Sequence, residues 1–199
     1  MEAFDDFFFH GGRTRAATGA TYYSPSAGSM VRSAQFAIRW TPLNASVKLT
    51  FRLFDTNDAV VWSKTSVRGD VLEWSDGKMR AAMAAIQADE NPRELTLEVT
   101  REGVDGSVLI PFSLLSKKQE FELDEKLAAI SGRPDSDLLK AMKRANELRA
   151  IGLTNEAAVA YEAILAKVPH SEAFLKATVE AQREAGNFFR ARELEKQTR

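Results

Sequence analysis

Two periods of hydrophobic residues divide the chain. Between residues 35 and 116, apolar and polar side chains alternate in short runs, as at Val47, Leu49, Phe51 and Leu53. A two-residue period is typical of half-buried strands. From residue 117 onward, apolar residues recur every three or four positions, which is typical of helices. The pattern predicts a β-rich part followed by a helical part.

The alternating runs predict at least five strands, at residues 36–40, 47–53, 60–62, 95–99 and 108–112. Pro111 cannot donate to a strand ladder, so we expect the last strand to lie at an edge or to end there. Residues 78–87 interrupt the alternation, because Met79, Met83 and Ile86 fall on one helical face. We therefore expect a short helix that crosses one end of the sheet.

The helical part predicts a connecting helix and four further helices. Leu123, Leu127 and Ile130 share one face of the connecting helix, at 117–131. The other helices are expected at 137–151, 155–167, 171–185 and 188–197, with Thr154, Ser171 and Asn187 as N-caps. Gly152 and Gly186 lie 34 residues apart. A period of 34 residues is typical of helix-turn-helix arrays.

Residues 136–199 resemble the tetratricopeptide (TPR) repeat family. Gly152, Ala157, Tyr161 and Pro169 match its turn glycine, small residue, aromatic residue and closing proline, and Ala145 fits an earlier small position. The large aromatic residue that the family carries early in its first helix is absent. The alternative is a small helical bundle whose period is accidental.

The β-rich part resembles immunoglobulin-like or fibronectin-III-like modules of bacterial envelope regulators. The resemblance covers residues 30–116 and rests on the runs at 36–40, 46–55, 60–62 and 112–115. In some of those regulators, anti-sigma-factor-like ectodomains among them, a TPR-like hairpin follows directly. The resemblance implies an antiparallel β-sandwich, from which the helix at 78–87 departs.

The expected fold class is therefore α+β. An antiparallel β-sandwich-like domain with one short helix comes first, and all-α TPR-like hairpins follow. We divide the chain into an extended N-terminal segment (1–34), the β domain (35–116), a connecting helix and linker (117–135) and the helical domain (136–199). We expect a cluster of phenylalanines near the start to cover a sheet edge or the helices: Phe4, Phe7, Phe8 and Phe9.

Fewer than two full repeat units cannot bury a solenoid core alone. The hairpins must therefore pack against the rest of this chain, a second copy or a partner protein. We expect the two parts of the chain to touch.

Composition excludes several classes of activity. The net charge of −1 lacks the basic surface that nucleic-acid binding needs. The chain has no cysteine and only two histidines, His10 and His170, so thiolate sites and most histidine-based sites are excluded. No apolar run reaches the length of a membrane span. We expect no cofactor, no metal and no catalytic residue. If the chain is a piece of a larger exported protein, we expect a periplasmic or other extracytoplasmic location; otherwise we expect the cytoplasm.

The second hypothesis is a carbohydrate-binding module or a carbohydrate-active enzyme. Trp40, Trp62 and Trp74 could stack on sugars, and the pairs Asp89-Glu90 and Asp124-Glu125 could act as acid and base. The first two tryptophans continue the period of inward-facing residues, which favours the core. A third hypothesis is a regulatory ectodomain of anti-sigma type.

The leading hypothesis is a non-enzymatic protein-interaction or assembly module, the soluble part of a bacterial envelope or signalling protein. The TPR resemblance implies a partner-binding face on the first helix of each unit. It comprises Met142, Asn146, Arg149, Lys176, Glu180 and Arg183. Its partner would be a protein or peptide, or a second copy bound through the C-terminal helices.

Overall fold

The alternating segments form two β-sheets. The computed structural model describes residues 23–41, 43–69 and 73–196, and these contain eight strands and six helices. The strands are β1 (Tyr23–Ser24), β2 (Met30–Val31), β3 (Ile38–Trp40), β4 (Lys48–Phe54), β5 (Val60–Arg68), β6 (Glu73–Trp74), β7 (Arg93–Arg101) and β8 (Ser107–Leu114). The expected phenylalanine cluster lies outside the described residues.

The larger sheet has five strands in the order β2-β8-β7-β4-β5. Four of the strands pair antiparallel, but β2 runs parallel to β8, with Met30 opposite Ser113. The expectation of a purely antiparallel sheet is therefore wrong at this pair. A two-residue strand is too short to show an alternating pattern, so β1 and β2 have no signal in the sequence.

Pro111 does not place β8 at the edge of the sheet, since β8 lies between β7 and β2. The Pro111 carbonyl accepts a hydrogen bond from Gly28 on the β2 side. The N–H and C=O groups of a strand residue point to the same side, so the missing donor of Pro111 also faces β2. Pairing with β7 therefore loses no hydrogen bond at this residue.

The smaller sheet has the order β1-β3-β6, and its strands are antiparallel. Ile38 and Trp40 of β3 belong to the same buried cluster as Phe51 of the larger sheet. The rings of Trp40 and Phe51 lie 5.1 Å apart between centroids. Met79 and Met83, from the short helix, complete this cluster. One hydrophobic core thus joins both sheets and the helix.

The helices begin and end within two residues of the predicted positions. They are α1 (Gly77–Ile86), α2 (Lys117–Ser131), α3 (Asp137–Ala150), α4 (Thr154–Lys167), α5 (Glu172–Glu184) and α6 (Phe188–Glu195). The fold is therefore a mixed one, with a five-stranded mixed sheet in its first part and most of its helices in the second.

The predicted N-caps have three different outcomes. Asn187 caps α6 by accepting a hydrogen bond from the backbone of Arg190. Ser171 occupies the N-cap position of α5, but its side chain makes no capping bond. The prediction for Thr154 is wrong, because α4 already starts at Thr154 and the buried Leu153 takes the cap position.

The turns after α3 and α5 have the same geometry. Gly152 donates to Arg149 and Leu153 donates to Leu148, and 34 residues later Gly186 and Asn187 donate in the same way to Arg183 and Gln182. These two bonds define the Schellman motif at a helix end. Gly152 and Gly186 have φ values of +82° and +76°, which favour glycine because it has no Cβ.

The two parts of the chain touch, as expected from the shortness of the repeat. Four buried leucines form a cluster between the sheets and the helices, which we call the junction cluster: Leu115, Leu123, Leu127 and Leu153. Met30 packs against this cluster and donates its backbone N–H to the carbonyl of Gly152, at 2.9 Å. Helix α2 and strand β2 therefore support the first hairpin, which consists of α3 and α4.

Candidate functional site

The predicted partner-binding residues lie on α3 and α5, and Arg149 bridges the two helices. Its Nε donates to Glu184 at 2.8 Å, and its Nη2 donates to Glu180 at 3.4 Å. The hydrogen bond to Glu184 raises the pKa of Arg149 above its ordinary value, against the opposing effect of burial. We call the six predicted residues together the α3–α5 face.

Asn146 and Met142 contact the interior of the helical part. The hydroxyl of buried Tyr161, on α4, donates to Oδ1 of Asn146. Met142 is half-buried against the cluster that contains Ala145, Ala158 and Tyr161. Both residues therefore also help to pack α3 against α4.

Lys176 and Arg183 form ion pairs at the surface. Lys176 contacts Glu172 at 2.7 Å, one turn earlier on α5, and Arg183 contacts Glu195 on α6. The Glu172 carboxylate raises the pKa of Lys176, and Lys176 lowers the pKa of Glu172. Such exposed pairs contribute little to stability, so a partner can replace either member at small cost.

The face thus carries three basic side chains and one acidic side chain, Glu180. Each of its three basic side chains already contacts a carboxylate of the same molecule. Its polar side chains can form hydrogen bonds and ion pairs.

A second polar cluster, at the junction of the two parts, was not predicted. Arg32 contacts Asp124 of α2 at 2.7 Å, and the backbone N–H of Ser33 donates to Oε1 of Glu120 at 2.7 Å. Glu156 of α4 lies nearby, and burial raises its pKa, although the charge of Arg32 opposes the rise. The partners are about 90 positions apart along the chain. No local pattern in the sequence signals such a pairing.

Two clefts flank the junction, and both are small. One, of about 40 Å³, is lined by residues that include Arg32, Arg39 and Glu156. The other, of about 140 Å³, lies between α2 and Ile151. Pockets for small-molecule ligands usually have about 300–1,000 Å³, so these clefts fit water molecules or a single side chain.

The tryptophans are placed mainly in the core. Trp40 and Trp62 are buried, and Trp40 Nε1 donates to the carbonyl of Gly69. The prediction that both are core residues is confirmed, and neither presents a ring face to solvent. Of Trp74, only the backbone, in β6, is described.

The other chemical candidates are dispersed. Lys117 and Lys118 form exposed ion pairs with Asp89 and Glu90. His170 is exposed in the turn between α4 and α5, and His10 lies outside the described residues. Over residues 23–41, 43–69 and 73–196, no group of three histidine or acidic side chains is arranged to hold a metal ion.

No protein-family model matches the chain, and comparison with curated proteins finds no matching relative. Across the described part of the chain, none of the helices combines the length and apolar character needed to cross a membrane.

Proposed function

We propose that this chain is a non-enzymatic interaction module, in which a sandwich-like β part supports two TPR-like hairpins. The observation that carries the proposal is the repeated turn. Gly152 and Gly186 form the same hydrogen bonds 34 residues apart, and α3 and α5, the first helices of the two units, are bridged by Arg149. This arrangement supports a binding face made from the first helix of each unit.

Two helical repeat units cannot bury a hydrophobic core by themselves. The rest of this chain supplies the packing contacts that they need. The junction cluster and β2 cover one side of the first hairpin. The α3–α5 face is therefore left for a partner.

The chemistry of the face favours a protein segment that carries charges of both signs. Lys176 and Arg183 would exchange their own carboxylates for those of the partner, while Glu180 would accept from a basic or amide group. The resemblance of residues 30–116 to modules of bacterial envelope regulators supports an envelope or signalling setting for this partner.

Selection from a peptide library tests the proposal. Peptides selected on the intact protein are expected to bind the charge-reversal variant K176E/R183E at least tenfold more weakly. The matched control is K48E/R52E, which reverses two exposed basic residues on β4 that also pair with glutamates. Equal binding of the selected peptides to both variants would contradict the proposal.

A further inference from the structure

The dipeptide Asp-Gly occurs twice in the chain, and its two copies lie in different surroundings. Asp76-Gly77 lies at the start of α1, and Asp105-Gly106 lies in the turn between β7 and β8. An aspartate before a glycine is prone to a spontaneous reaction in which the glycine nitrogen attacks the aspartate carboxyl group. Glycine favours this attack because it has no side chain to shield its nitrogen. The surroundings of each copy decide whether it reacts.

The carboxylate of Asp76 is held in place by the start of α1. Its Oδ1 accepts a hydrogen bond from the backbone N–H of Met79 at 2.6 Å and so caps the helix. The backbone carbonyl of Asp76 accepts a second hydrogen bond, from the N–H of Arg80 at 3.1 Å. Attack by the nitrogen of Gly77 requires this carboxylate to leave the cap, which stabilises α1. The folded protein therefore opposes reaction at Asp76.

The carboxylate of Asp105 has no such restraint. Asp105 is exposed, and among the described residues no hydrogen bond or ion pair includes its side chain. The backbone N–H of Gly106 likewise donates to no group in the part of the chain that the structure describes. Gly103 and Gly106 give this turn two positive φ values, +77° and +96°. The nitrogen of Gly106 can therefore approach the carboxyl carbon of Asp105 without breaking a hydrogen bond.

We propose that Asp105 is a site of isoaspartate formation. The nitrogen of Gly106 bonds to Cγ of Asp105, and the hydroxyl of the protonated carboxyl group leaves with the amide hydrogen as one water molecule. The product is a five-membered succinimide ring. One water molecule then opens the ring between the nitrogen and the backbone carbonyl carbon of Asp105, so the chain continues through the side chain. No oxidant or reductant takes part, and the mass of the protein is unchanged.

The modification lengthens the backbone of the turn by one carbon atom and leaves a carboxylate on the new branch. The turn joins β7 and β8, two of the three inner strands of the larger sheet. Thr100 pairs with Ser107 at the end of this hairpin, and the next pair, Val99 with Val108, is buried. We therefore expect the modified protein to stay folded. The new carboxylate is a substrate for methyl transfer from S-adenosylmethionine, the reaction class that repairs isoaspartate.

Prolonged incubation of the intact protein in warm neutral buffer, followed by peptide mapping, tests the site. An isoaspartyl peptide has the same mass as the aspartyl peptide, but it elutes separately and resists a protease that cleaves before aspartate. We expect at least fivefold more isoaspartate at Asp105 than at Asp76. Methyl transfer to the incubated protein is expected to fall at least fivefold in D105E, because glutamate would have to form a six-membered ring. The variant D76E is the matched control and should change neither signal.

Incubation in guanidinium chloride separates the effect of the fold from the effect of the local sequence. In the unfolded chain, Asp76 loses its helix cap, so we expect the two copies to react at rates within twofold of each other. Equal amounts of isoaspartate at both positions in the folded protein would overturn the proposal, as would its absence at Asp105. A fivefold excess at Asp105 that persists in the unfolded chain would also overturn it, because the local sequence would then cause the difference. None of these outcomes depends on binding at the α3–α5 face.

Discussion

The backbone N–H of Met30 donates a 2.9 Å hydrogen bond to the carbonyl oxygen of Gly152 and so joins β2 to the turn between α3 and α4. The approach is close, since a Cβ atom added to Gly152 would lie 3.0 Å from Cγ of Met30. Gly152 thus has two roles, one in the turn and one in the contact between the two parts of the chain. Gly186 adopts the same turn beside Ser26, with more space.

Alanine at position 152 is expected to be more destabilising than alanine at position 186. Both residues have positive φ, which costs about 1–2 kcal/mol for a residue with a Cβ, and Gly152→Ala also displaces Met30. Urea unfolding of the two variants checks the order. Gly77→Ala is the control, because its Cβ meets no neighbour and its φ is not positive. If Met30 is the cause, G152A costs less in a M30A background; an equal cost there would contradict this explanation.

Leu153→Ala is expected to destabilise the protein by about 2–5 kcal/mol, because it leaves a cavity in the junction cluster. Since this cluster joins both parts of the chain, tryptophan fluorescence from the sheets and circular dichroism from the helices should give the same unfolding midpoint. Val159→Ala, at an exposed position on α4, should change stability by less than about 0.5 kcal/mol. Separate midpoints for the two probes in the unmodified protein would show that the parts unfold independently.

Glu156→Gln is expected to stabilise the protein at neutral pH. Burial raises the pKa of Glu156 in the folded state, so the folded state binds this proton more tightly than the unfolded state does. Stability is therefore higher below the ordinary glutamate pKa and falls as the pH rises through the folded-state pKa. The charged groups that face Glu156 are Arg32, Arg39, Glu120 and Asp124.

Stability curves across the acid range check this sign. The gain from Glu156→Gln should vanish at low pH, where the carboxyl is protonated in both states. Glu172→Gln is the control with the opposite sign, because Lys176 lowers the pKa of Glu172. A loss of stability for Glu156→Gln at neutral pH would mean that attraction to Arg32 and Arg39 outweighs burial.

Tyr161→Phe is expected to cost about 1 kcal/mol, the usual contribution of one hydrogen bond. Its hydroxyl donates to Asn146 across the first hairpin. A double-mutant cycle with Asn146→Ala measures the coupling of the two side chains, which should be favourable. Additive effects would show that Asn146 does not act through Tyr161.

The helices and the longer strands were predictable from the sequence because each has a local signal. The four helices after residue 136 and the short helix α1 follow from the spacing of residues such as Met79 and Met83, which are buried. The alternation of Leu49, Phe51 and Leu53 likewise predicted β4, and all three are buried.

The features that could not be predicted from the sequence depend on contacts between residues far apart along the chain. The parallel β2–β8 pair involves two residues of β2, and the contacts of Arg32 and Ser33 with α2 connect distant positions. On the α3–α5 face, the residue types suggested recognition, but only the structure shows that Arg149 contacts Glu180 and Glu184 of the same molecule.

The central claim is that the α3–α5 face is open to another protein. Sedimentation of the intact protein over a range of concentrations gives its solution mass and so tests this claim. We expect a monomer for both the unmodified protein and K176E/R183E, because the junction cluster already supports the hairpins from within the chain. A dimer that dissociates in K176E/R183E, but not in K48E/R52E, would contradict the claim, since a second copy would then occupy this face.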